Sequence, residues 1–297
     1  MIRITEGRDM QITSINGQLC AQDSATISVT DHGFLYGDGV FEGLRFYKNR
    51  ILKLSAHMDR LDDSARALAI DLPMSREAIE EALNQVVSES PHEDGYLRLI
   101  VTRGEGPLGI DPRQCRTGNV IIISDQLAMV SDEVRKQGAR LIIASTRRLA
   151  GDQLDSRIKS LNYLNQIMAR IEANTAGADE AVVLNQQGFV AEGTADNIFA
   201  VKNGCLMTPP VTDGALDGIT RGIVLEIADK LSIPVKEHSL TVYDLFTAEE
   251  CFLSGTGAEL IPVREIAGRA LNRPDDPMFK KIAGYFEEEL GKDTLFH

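Results

Sequence analysis

The apolar residues of this chain fall into short runs with a two-residue period and longer stretches with a helical period. Two turn signals, Asn16-Gly17 and Lys48-Asn49-Arg50, each separate short apolar segments, and the Asn-Gly pair is a strong hairpin signal. Further strands are predicted at 95–102 and 119–124, on either side of a glycine-containing loop at 104–109. The first third of the chain is therefore predicted to be rich in paired strands.

Helices are predicted where apolar residues recur every three or four positions. Two such stretches lie at about 55–69 and 75–89, and the first places Met58, Leu61, Ala65 and Leu68 on one face, which we expect to be buried. Three more helices are predicted near 161–175, 219–231 and 277–290. The remaining strands are predicted at 140–145, 180–184, 197–201 and 251–254, with hairpin turns at Gln187-Gly188 and Asn203-Gly204.

This order of elements predicts an α+β fold with two α/β-type domains whose sheets are mixed and largely antiparallel. At 297 residues the chain is long enough for two domains. A polar segment at 125–138 is the expected connection. We therefore expect a smaller N-terminal domain at 1–124 and a larger C-terminal domain at 139–297.

The composition indicates a globular protein of the cytoplasm. The net charge of −13 argues against nucleic acid and anionic membranes as partners. The first ten residues, MIRITEGRDM, lack the apolar run of a signal peptide, and no stretch approaches the roughly 20 apolar residues of a membrane span. The four cysteines form no CxxC pair and the five histidines show no ligand spacing, so we expect no metal site.

Lys159 is the first residue whose position suggests chemistry. Lysine is the common side chain that forms a Schiff base with a carbonyl. Lys159 stands just before a helix whose apolar face is expected to begin at Leu161 and Leu164, so we expect it at the margin of the core. Burial there would lower the pKa of the amine and favour its neutral form. Tyr163 is close enough in sequence to bond a group that Lys159 holds, although a lone lysine is more often a solvated surface charge.

Glu192 is the second candidate. It precedes the apolar segment 197–201, so we expect its carboxylate at a buried margin, where a cation such as a pyridinium would be its natural partner. Considered alone, Glu192 is more often a capping or surface carboxylate. The sequence contains neither the GxSxG motif of a nucleophile elbow nor the GxxxxGK[ST] motif of a P-loop.

Two loops could hold a phosphate, which binds well to backbone N–H groups at a helix N-terminus. The segment Leu216–Arg221 opens a predicted helix, and Gly218 in it allows close approach. The segment Ser254–Ala258 follows a predicted strand. Arg60 could add a guanidinium to the same phosphate, although such an arginine is more often a solvated helix charge.

Together these residues resemble the fold-type IV pyridoxal-phosphate enzymes, and most closely the branched-chain amino acid aminotransferases. The resemblance covers nearly the whole chain. It is carried by the segments Asp31–Arg45, His57–Leu61, Tyr96–Arg98, Lys159–Tyr163, Glu192–Phe199, Gly218–Arg221 and Ser254–Glu259. It implies the D-amino acid aminotransferase-like fold, pyridoxal 5′-phosphate bound in the C-terminal domain, and a homodimer or higher homo-oligomer.

The resemblance also implies a role for each matched residue. Lys159 would bind the cofactor covalently and move the proton between the substrate Cα and the cofactor C4′. Glu192 would bind the pyridine nitrogen and Tyr163 the phenolic oxygen. The phosphate would be held by Arg60, Gly218, Ile219, Thr220 and Thr256.

For the substrate, the resemblance implies a second set of residues. The α-carboxylate would bind to Tyr96, Gly257 and Ala258, and the side-chain carboxylate of glutamate to Arg98 and Tyr36. Phe41 and Gly43 would line the apolar side of the pocket. Tyr36 and the loop around Leu108 are expected to reach the pocket of a neighbouring subunit.

The implied reaction is a ping-pong transamination between a branched-chain L-amino acid (leucine, isoleucine or valine) and 2-oxoglutarate, giving the branched 2-oxo acid and L-glutamate. A D-amino acid aminotransferase or an aminodeoxychorismate lyase of the same fold is an alternative, and the Tyr96-x-Arg98 pair favours the L-type enzyme. A non-catalytic protein that binds a phosphate ligand is a third hypothesis. Two departures from the family pattern concern the substrate pocket: 125–138 contains no aromatic residue, and Thr256-Gly257-Ala258 replaces Thr-Ala-Ala.

Overall fold

The computed structural model of the protein describes residues 11–126, 130–271, 276–292 and 294–296. The chain forms two compact units. The first comprises Met1–Leu127, Lys159–Leu161 and Phe296–His297, and the second comprises Ala128–Ile158 and Asn162–Leu295. The short segment with Lys159 thus belongs to the first unit, although the chain on both sides of it belongs to the second. The division at 1–124, 125–138 and 139–297 stays a prediction.

The first unit consists of an antiparallel sheet and three described helices. Its strands are β1 (Ile12–Ile15), β2 (Gln18–Ala21), β3 (Gly39–Tyr47), β4 (Arg50–Ile51), β5 (Gly95–Thr102) and β6 (Val120–Asp125), and its helices are α1 (His32–Tyr36), α2 (Leu54–Ala67) and α3 (Arg76–Ser88). The strand order is β2-β1-β6-β5-β3-β4, and every neighbouring pair is antiparallel.

Both predicted turns of the first unit are confirmed. Asn16 and Gly17 have φ angles of 52° and 79°, and Lys48 and Asn49 have φ angles of 49° and 60°. Positive φ at both central residues is the type I′ geometry, whose twist matches that of the paired strands. Asparagine and glycine adopt it readily, which is why the first turn could be predicted from the sequence.

Helices α2 and α3 supply one side of the core of the first unit. Met58, Leu61 and Ala65 are buried as predicted. They pack with apolar residues of α3 and of the sheet, including Ile79, Leu83, Leu44 and Leu97. Leu68 is only half-buried, because α2 ends at Ala67 and Leu68 is already its C-cap residue.

The second unit is built on a mixed sheet. Its elements are α4 (Asp132–Gln137), β7 (Ala139–Arg147), α5 (Leu164–Thr175), β8 (Glu180–Leu184), β9 (Val190–Glu192), β10 (Asn197–Lys202), β11 (Cys205–Thr208), α6 (Ile219–Lys230), β12 (Val235–Glu237), α7 (Val242–Phe246), β13 (Glu250–Gly255), β14 (Glu259–Ile266), β15 (Arg269–Ala270) and α8 (Pro277–Gly291). The order is β12-β11-β10-β13-β14-β7-β8-β9, with β15 paired to β14. Three pairs are parallel (β11 with β12, β14 with β7, β7 with β8) and the others antiparallel, which confirms the predicted α+β class.

The segment predicted as a connection, 125–138, contains regular structure. Asp125 ends β6, and α4 begins after Ser131, whose hydroxyl accepts a hydrogen bond from Val134 N at 3.3 Å. Gly138 ends this helix with a φ of 84°. None of the residues of α4 is buried, so it has no apolar period by which the sequence could have revealed it. Residues 127–129 and the N-terminal MIRITEGRDM lie outside the described residues.

Helix α5 differs from its prediction at its start and in its buried face. It begins at Leu164, which is 69% exposed, and Leu161 belongs to the other unit, so the expected apolar face was wrong. The residues that α5 buries are Ala169 and Ala173, which pack on small residues of β7 and β8. Alanine allows the helix backbone to approach the sheet closely. No helix among the described residues has the length and apolar character needed to cross a membrane.

Candidate active site

Lys159 lies in a three-residue segment that pairs with β3. The N–H of Phe41 donates to the carbonyl of Lys159 at 2.9 Å, and the N–H of Leu161 donates to the carbonyl of Gly39 at 2.9 Å. The N–H of Lys159 donates to the hydroxyl of Ser64 at 3.1 Å. The backbone of Lys159 is therefore held on one side by β3 and on the other by α2.

The amine of Lys159 and the guanidinium of Arg98 contact the same aromatic ring. Lys159 Nζ and Arg98 Cζ each lie 4.5 Å from the centroid of the Phe41 ring. Arg98 is also 5.5 Å from the ring of Tyr96. Cations are attracted to aromatic faces at these distances. The structure thus brings together four of the residues singled out in the sequence, all within the first unit.

Gly43 is required by the position of Tyr96. A Cβ atom at Gly43 would lie 2.0 Å from the hydroxyl oxygen of Tyr96, far inside contact distance. The two residues are on neighbouring strands, β3 and β5. Any larger residue at Gly43 would displace the Tyr96 ring, so Gly43 sets the position of the phenol.

Arg60 is held by a buried carboxylate that the sequence analysis did not single out. Its Nε and Nη2 atoms donate to Glu42 Oε1 and Oε2 at 2.8 and 2.7 Å. His57 Nδ1 lies 2.7 Å from Glu42 Oε2, and because a carboxylate only accepts, Nδ1 carries the proton. His57 and Arg60 are three residues apart on α2 and so share one face. Glu42 thereby fixes the Nε/Nη2 edge of Arg60.

The charges of this cluster follow from its surroundings. Burial alone would raise the pKa of Glu42, but the charge of Arg60 and hydrogen bonds from Arg60 and His57 outweigh it and lower that pKa to about 2. Burial lowers the pKa of His57 below its usual value, against the effect of Glu42. At neutral pH the cluster therefore contains an ionised Glu42, a charged Arg60 and a neutral His57.

Protonation of Glu42 is expected to lower the free energy of unfolding of the protein at acidic pH. Its folded-state pKa lies below the usual 4.5, so the stabilisation is present above pH 4.5 and is lost as pH falls toward 2. The difference in free energy of unfolding between wild type and Glu42→Gln should shrink by about 3 kcal/mol over this range. Denaturant titrations at several pH values measure it, and a difference that does not change with pH would contradict the expectation.

Tyr36 lies on α1 and contacts a different set of residues. Its ring meets the ring of His32 edge-on at 4.9 Å between centroids, and its hydroxyl accepts from Gly109 N at 3.0 Å. The adjoining Leu108 is 81% exposed. Within the described part of the chain, neither contact joins Tyr36 to Arg98, and the expected role of Tyr36 in the pocket of a neighbouring subunit stays a prediction.

In the second unit, Glu192 is buried at the end of β9 and accepts several hydrogen bonds. Arg148 Nη2 donates to its Oε1 at 2.8 Å, and Leu216 N donates to its Oε2 at 3.0 Å. Asn197 Nδ2 lies 3.4 Å from Oε2 and also donates to Leu216 O at 2.9 Å. These bonds fix the orientation of the carboxylate.

Arg148 is a residue of this site that the sequence analysis missed. It is 1% exposed, and besides Glu192 it reaches Asn165 Oδ1 at 3.4 Å and the carbonyl of Gly193 at 3.3 Å. The cation that the sequence predicts next to Glu192 is a pyridinium, whereas the structure places the guanidinium of Arg148 there. Arg148 directly follows β7 and belongs to no motif, so the sequence carries no signal for its burial.

The start of α6 has the features of an anion-binding site. Gly218 is its N-cap residue and provides no side-chain cap, so the N–H groups of the first turn, from Ile219 and Thr220 onward, are not capped by it. A Cβ atom at Gly218 would lie 1.9 Å from Asn197 Oδ1, which excludes any larger residue. The same Asn197 therefore sets the positions of Glu192 and of the helix start.

Two further predicted parts of the site lie at turns of the second unit. Thr256, Gly257 and Ala258 form the turn that joins β13 to β14. Tyr163 is the half-buried residue that precedes the first turn of α5. Among the residues that the structure describes, no group of three or more His, Cys, Asp or Glu side chains could hold a metal ion.

Each unit, taken by itself, carries polar groups of the kinds that pyridoxal 5′-phosphate binds. The first unit supplies an amine for an aldehyde, at Lys159, and a guanidinium for a phosphate, at Arg60. The second supplies a fixed carboxylate for a pyridine N–H, at Glu192, and uncapped backbone N–H groups for a phosphate, at Ile219 and Thr220. The donors and acceptors therefore fit this cofactor.

Comparison with known proteins gives consistent results. The family model of amino-transferase class IV matches residues 39–266. A relative from Methanocaldococcus jannaschii is 48% identical over 275 residues, which are 92% of this chain and 94% of the relative. The branched-chain-amino-acid aminotransferase of Pseudomonas aeruginosa is 36% identical over 284 residues, or 93% and 92% of the two chains.

Two solved structures that share the fold of this chain are branched-chain amino acid aminotransferases, and one of them contains a bound ligand. The Escherichia coli branched-chain amino acid aminotransferase superimposes with a TM-score of 0.91 at 31% identity, over 94% of each chain. A branched-chain amino acid aminotransferase from T.th., complexed with N-(5′-phosphopyridoxyl)-L-glutamate, has a TM-score of 0.88 at 33% identity, over 94% of this chain and 93% of the other.

Proposed function

The chain belongs to the amino-transferase class IV family, and we propose that it transfers the amino group of a branched-chain L-amino acid to 2-oxoglutarate. Pyridoxal 5′-phosphate is the cofactor of this family, in agreement with the phosphopyridoxyl ligand of the T.th. structure. The observation that carries the proposal is the placement of the Lys159 amine and the Arg98 guanidinium against one aromatic ring, that of Phe41.

We propose to assign each cofactor contact to a residue that carries a suitable chemical group. Lys159 would bind the aldehyde carbon, and Glu192 would accept the hydrogen bond of the pyridine nitrogen. Tyr163 would donate to the phenolic oxygen. The phosphate would be bound by Arg60, Gly218, Ile219, Thr220 and Thr256. This assignment is supported by the fixed carboxylate of Glu192 and by the uncapped start of α6.

Lys159 has a second task in the proposed reaction. When bound, the cofactor supplies an electron sink for the electrons released as the substrate Cα loses its proton. The Lys159 amine takes that proton and returns it at C4′, so one base serves both carbon atoms. Its backbone, bonded to Phe41 and to Ser64, would keep the amine in place as it moves the proton.

Arg98 explains how one pocket accepts both an aliphatic and an acidic side chain. Its interactions among the described residues are with the rings of Phe41 and Tyr96, so no carboxylate of the described chain neutralises it there. The carboxylate of 2-oxoglutarate or glutamate would pair with the guanidinium. The side chain of leucine, isoleucine or valine would instead contact Phe41 and the backbone of Gly43. The α-carboxylate would bind Tyr96 and the N–H groups of Gly257 and Ala258.

A substrate comparison tests the proposal against the two related activities. Purified holoenzyme is incubated with 2-oxoglutarate and either L-leucine, L-isoleucine, L-valine or D-alanine, and both the L-glutamate and the D-glutamate formed are measured. In a parallel reaction, pyruvate release from aminodeoxychorismate is followed. We expect L-glutamate with the branched L-amino acids. Glutamate formed only with D-alanine, or turnover only of aminodeoxychorismate, would contradict the proposal.

We further propose that the protein is cytoplasmic and forms a homodimer or a larger homo-oligomer. The proposed oligomer is supported by an exposed apolar stripe on α5. Its residues recur at helical spacing and are Leu164, Ile167, Met168 and Ile171, with 69%, 49%, 54% and 50% exposure. An apolar stripe of this kind is characteristic of a surface that another molecule covers. Light scattering of the purified protein should give a multiple of the chain mass, and a monomer mass would contradict the proposal.

A further inference from the structure

We propose that Ser64 is a positioning residue for the transamination, because it fixes the backbone of the reactive lysine to helix α2. The inference rests on the proposed covalent role of Lys159. Ser64 is 2% exposed, and its hydroxyl accepts the N–H of Lys159 at 3.1 Å. The two residues are 95 positions apart in the sequence, so this bond joins distant parts of the chain.

The segment that carries Lys159 depends on such bonds for its position. Residues 159–161 form no strand of their own, and their pairing with β3 is an isolated bridge between Val40 and Ser160. The β3 side of this bridge holds the carbonyl of Lys159, through Phe41 N at 2.9 Å. Ser64 holds the N–H of the same residue from α2. The Cα of Lys159 is thus constrained on both sides.

Helix α2 also carries Arg60, about one helical turn before Ser64. Residues four positions apart lie on the same face of a helix, about 6 Å apart along its axis. Glu42 locks Arg60 through two hydrogen bonds, and Ser64 locks Lys159 through one. A single rigid turn of α2 therefore sets the separation between the proposed phosphate ligand and the proposed attachment point of the aldehyde.

Loss of the Ser64 hydroxyl should therefore affect the chemical steps of Lys159 more than the fold. A shift of about 1 Å in a reacting group can lower a rate by about 100-fold. The hydrogen bonds of Arg60 to Glu42 do not involve Ser64. We expect Ser64→Ala to slow both the attachment of the cofactor and kcat, while the KM for L-leucine changes little.

The chain offers a matched control in the same unit. Ser124, on β6, is 3% exposed, and its hydroxyl accepts the N–H of Ile12 at 3.1 Å. Ser124→Ala therefore removes the same kind of bond, of the same length and at the same burial. Its bond joins β6 to β1. Strand β5 lies between β6 and β3, so this bond does not touch the strand that pairs with the Lys159 segment. A purely structural role for Ser64 predicts equal effects of the two substitutions.

The experiment mixes each apoprotein with pyridoxal 5′-phosphate and follows the visible absorption of the attached cofactor and its trapping by borohydride. We expect attachment to be about 10-fold slower in Ser64→Ala and within about twofold of wild type in Ser124→Ala. Ser64→Cys, whose sulfur is a weak acceptor, should lie between wild type and Ser64→Ala and serves as the test if Ser64→Ala does not fold.

Two outcomes would overturn the inference. One is attachment in both Ser64 variants at the wild-type rate, and the other is equal slowing in the Ser64 and Ser124 variants. Failure of the proposed function gives a different result, because borohydride would then trap the cofactor of the wild-type protein on a lysine other than Lys159. Trapping on Lys159 combined with either of the two outcomes would reject the role of Ser64 alone.

Discussion

Replacing Lys159 with alanine is expected to lower kcat by about 10⁴-fold, the upper end of what one positioned acid–base group contributes. In the proposed function this side chain both binds the cofactor and moves the Cα proton, and its amine lies 4.5 Å from the centroid of the Phe41 ring. The fold should persist, because the bonds that hold this segment to Ser64 and Phe41 come from the backbone.

The measurements for this variant are the rate of L-glutamate formation, the visible absorption after addition of cofactor, and the circular dichroism spectrum. A suitable control is Lys202→Ala, which removes a lysine on β10 that donates to Thr247 Oγ1 at 2.7 Å. That variant should retain turnover and the visible absorption. Turnover of Lys159→Ala near the rate of Lys202→Ala would refute the assigned role.

Replacing Arg148 with methionine is expected to lower the free energy of unfolding of the apoprotein by about 3–5 kcal/mol, the cost of removing one partner of a buried ion pair. Arg148 is 1% exposed and Glu192 is 6% exposed. The substitution would leave the Glu192 carboxylate with hydrogen bonds from Leu216 and Asn197 but without its cation at 2.8 Å.

A second ion pair of the same unit provides the comparison. Arg170 donates to Glu180 Oε2 at 2.9 Å, but its side chain is 45% exposed. Arg170→Met should cost less than about 1 kcal/mol, since solvent reaches the guanidinium of this pair and screens its charge. Denaturant titrations of both variants measure the difference. Equal losses in the two variants would show that the burial of the Arg148 side chain does not determine the contribution of its ion pair.

Much of the fold could be predicted because it depends on local signals. The Asn16-Gly17 turn follows from the ease with which these residues adopt positive φ, and α2 from the helical spacing of Met58, Leu61 and Ala65. Helix α4 was missed because it buries no residue. The buried face of α5 was predicted wrongly, because the apolar Leu164 suggests a buried position. The small Ala169 and Ala173 make the contact with the sheet instead.

The candidate site was predictable only in part, because its supporting contacts join distant positions. Lys159 and Glu192 could be singled out by residue type and by the motifs around them. Arg148 could not, since 44 residues separate it from Glu192. Nor could Ser64, since its bond to Lys159 depends on how α2 and the 159–161 segment pack. A sequence shows which residues can do chemistry, and the fold determines which residues hold them in place.

The most direct test of the central claim is to locate the lysine that binds the cofactor. The holoprotein, prepared without substrate, is reduced with borohydride and digested, and the peptides are analysed by mass spectrometry. We predict a phosphopyridoxyl group on Lys159, in the segment Ser156–Tyr163. A phosphopyridoxyl group on another lysine, or a fully unmodified Lys159 in protein that turns over substrate, would contradict this prediction.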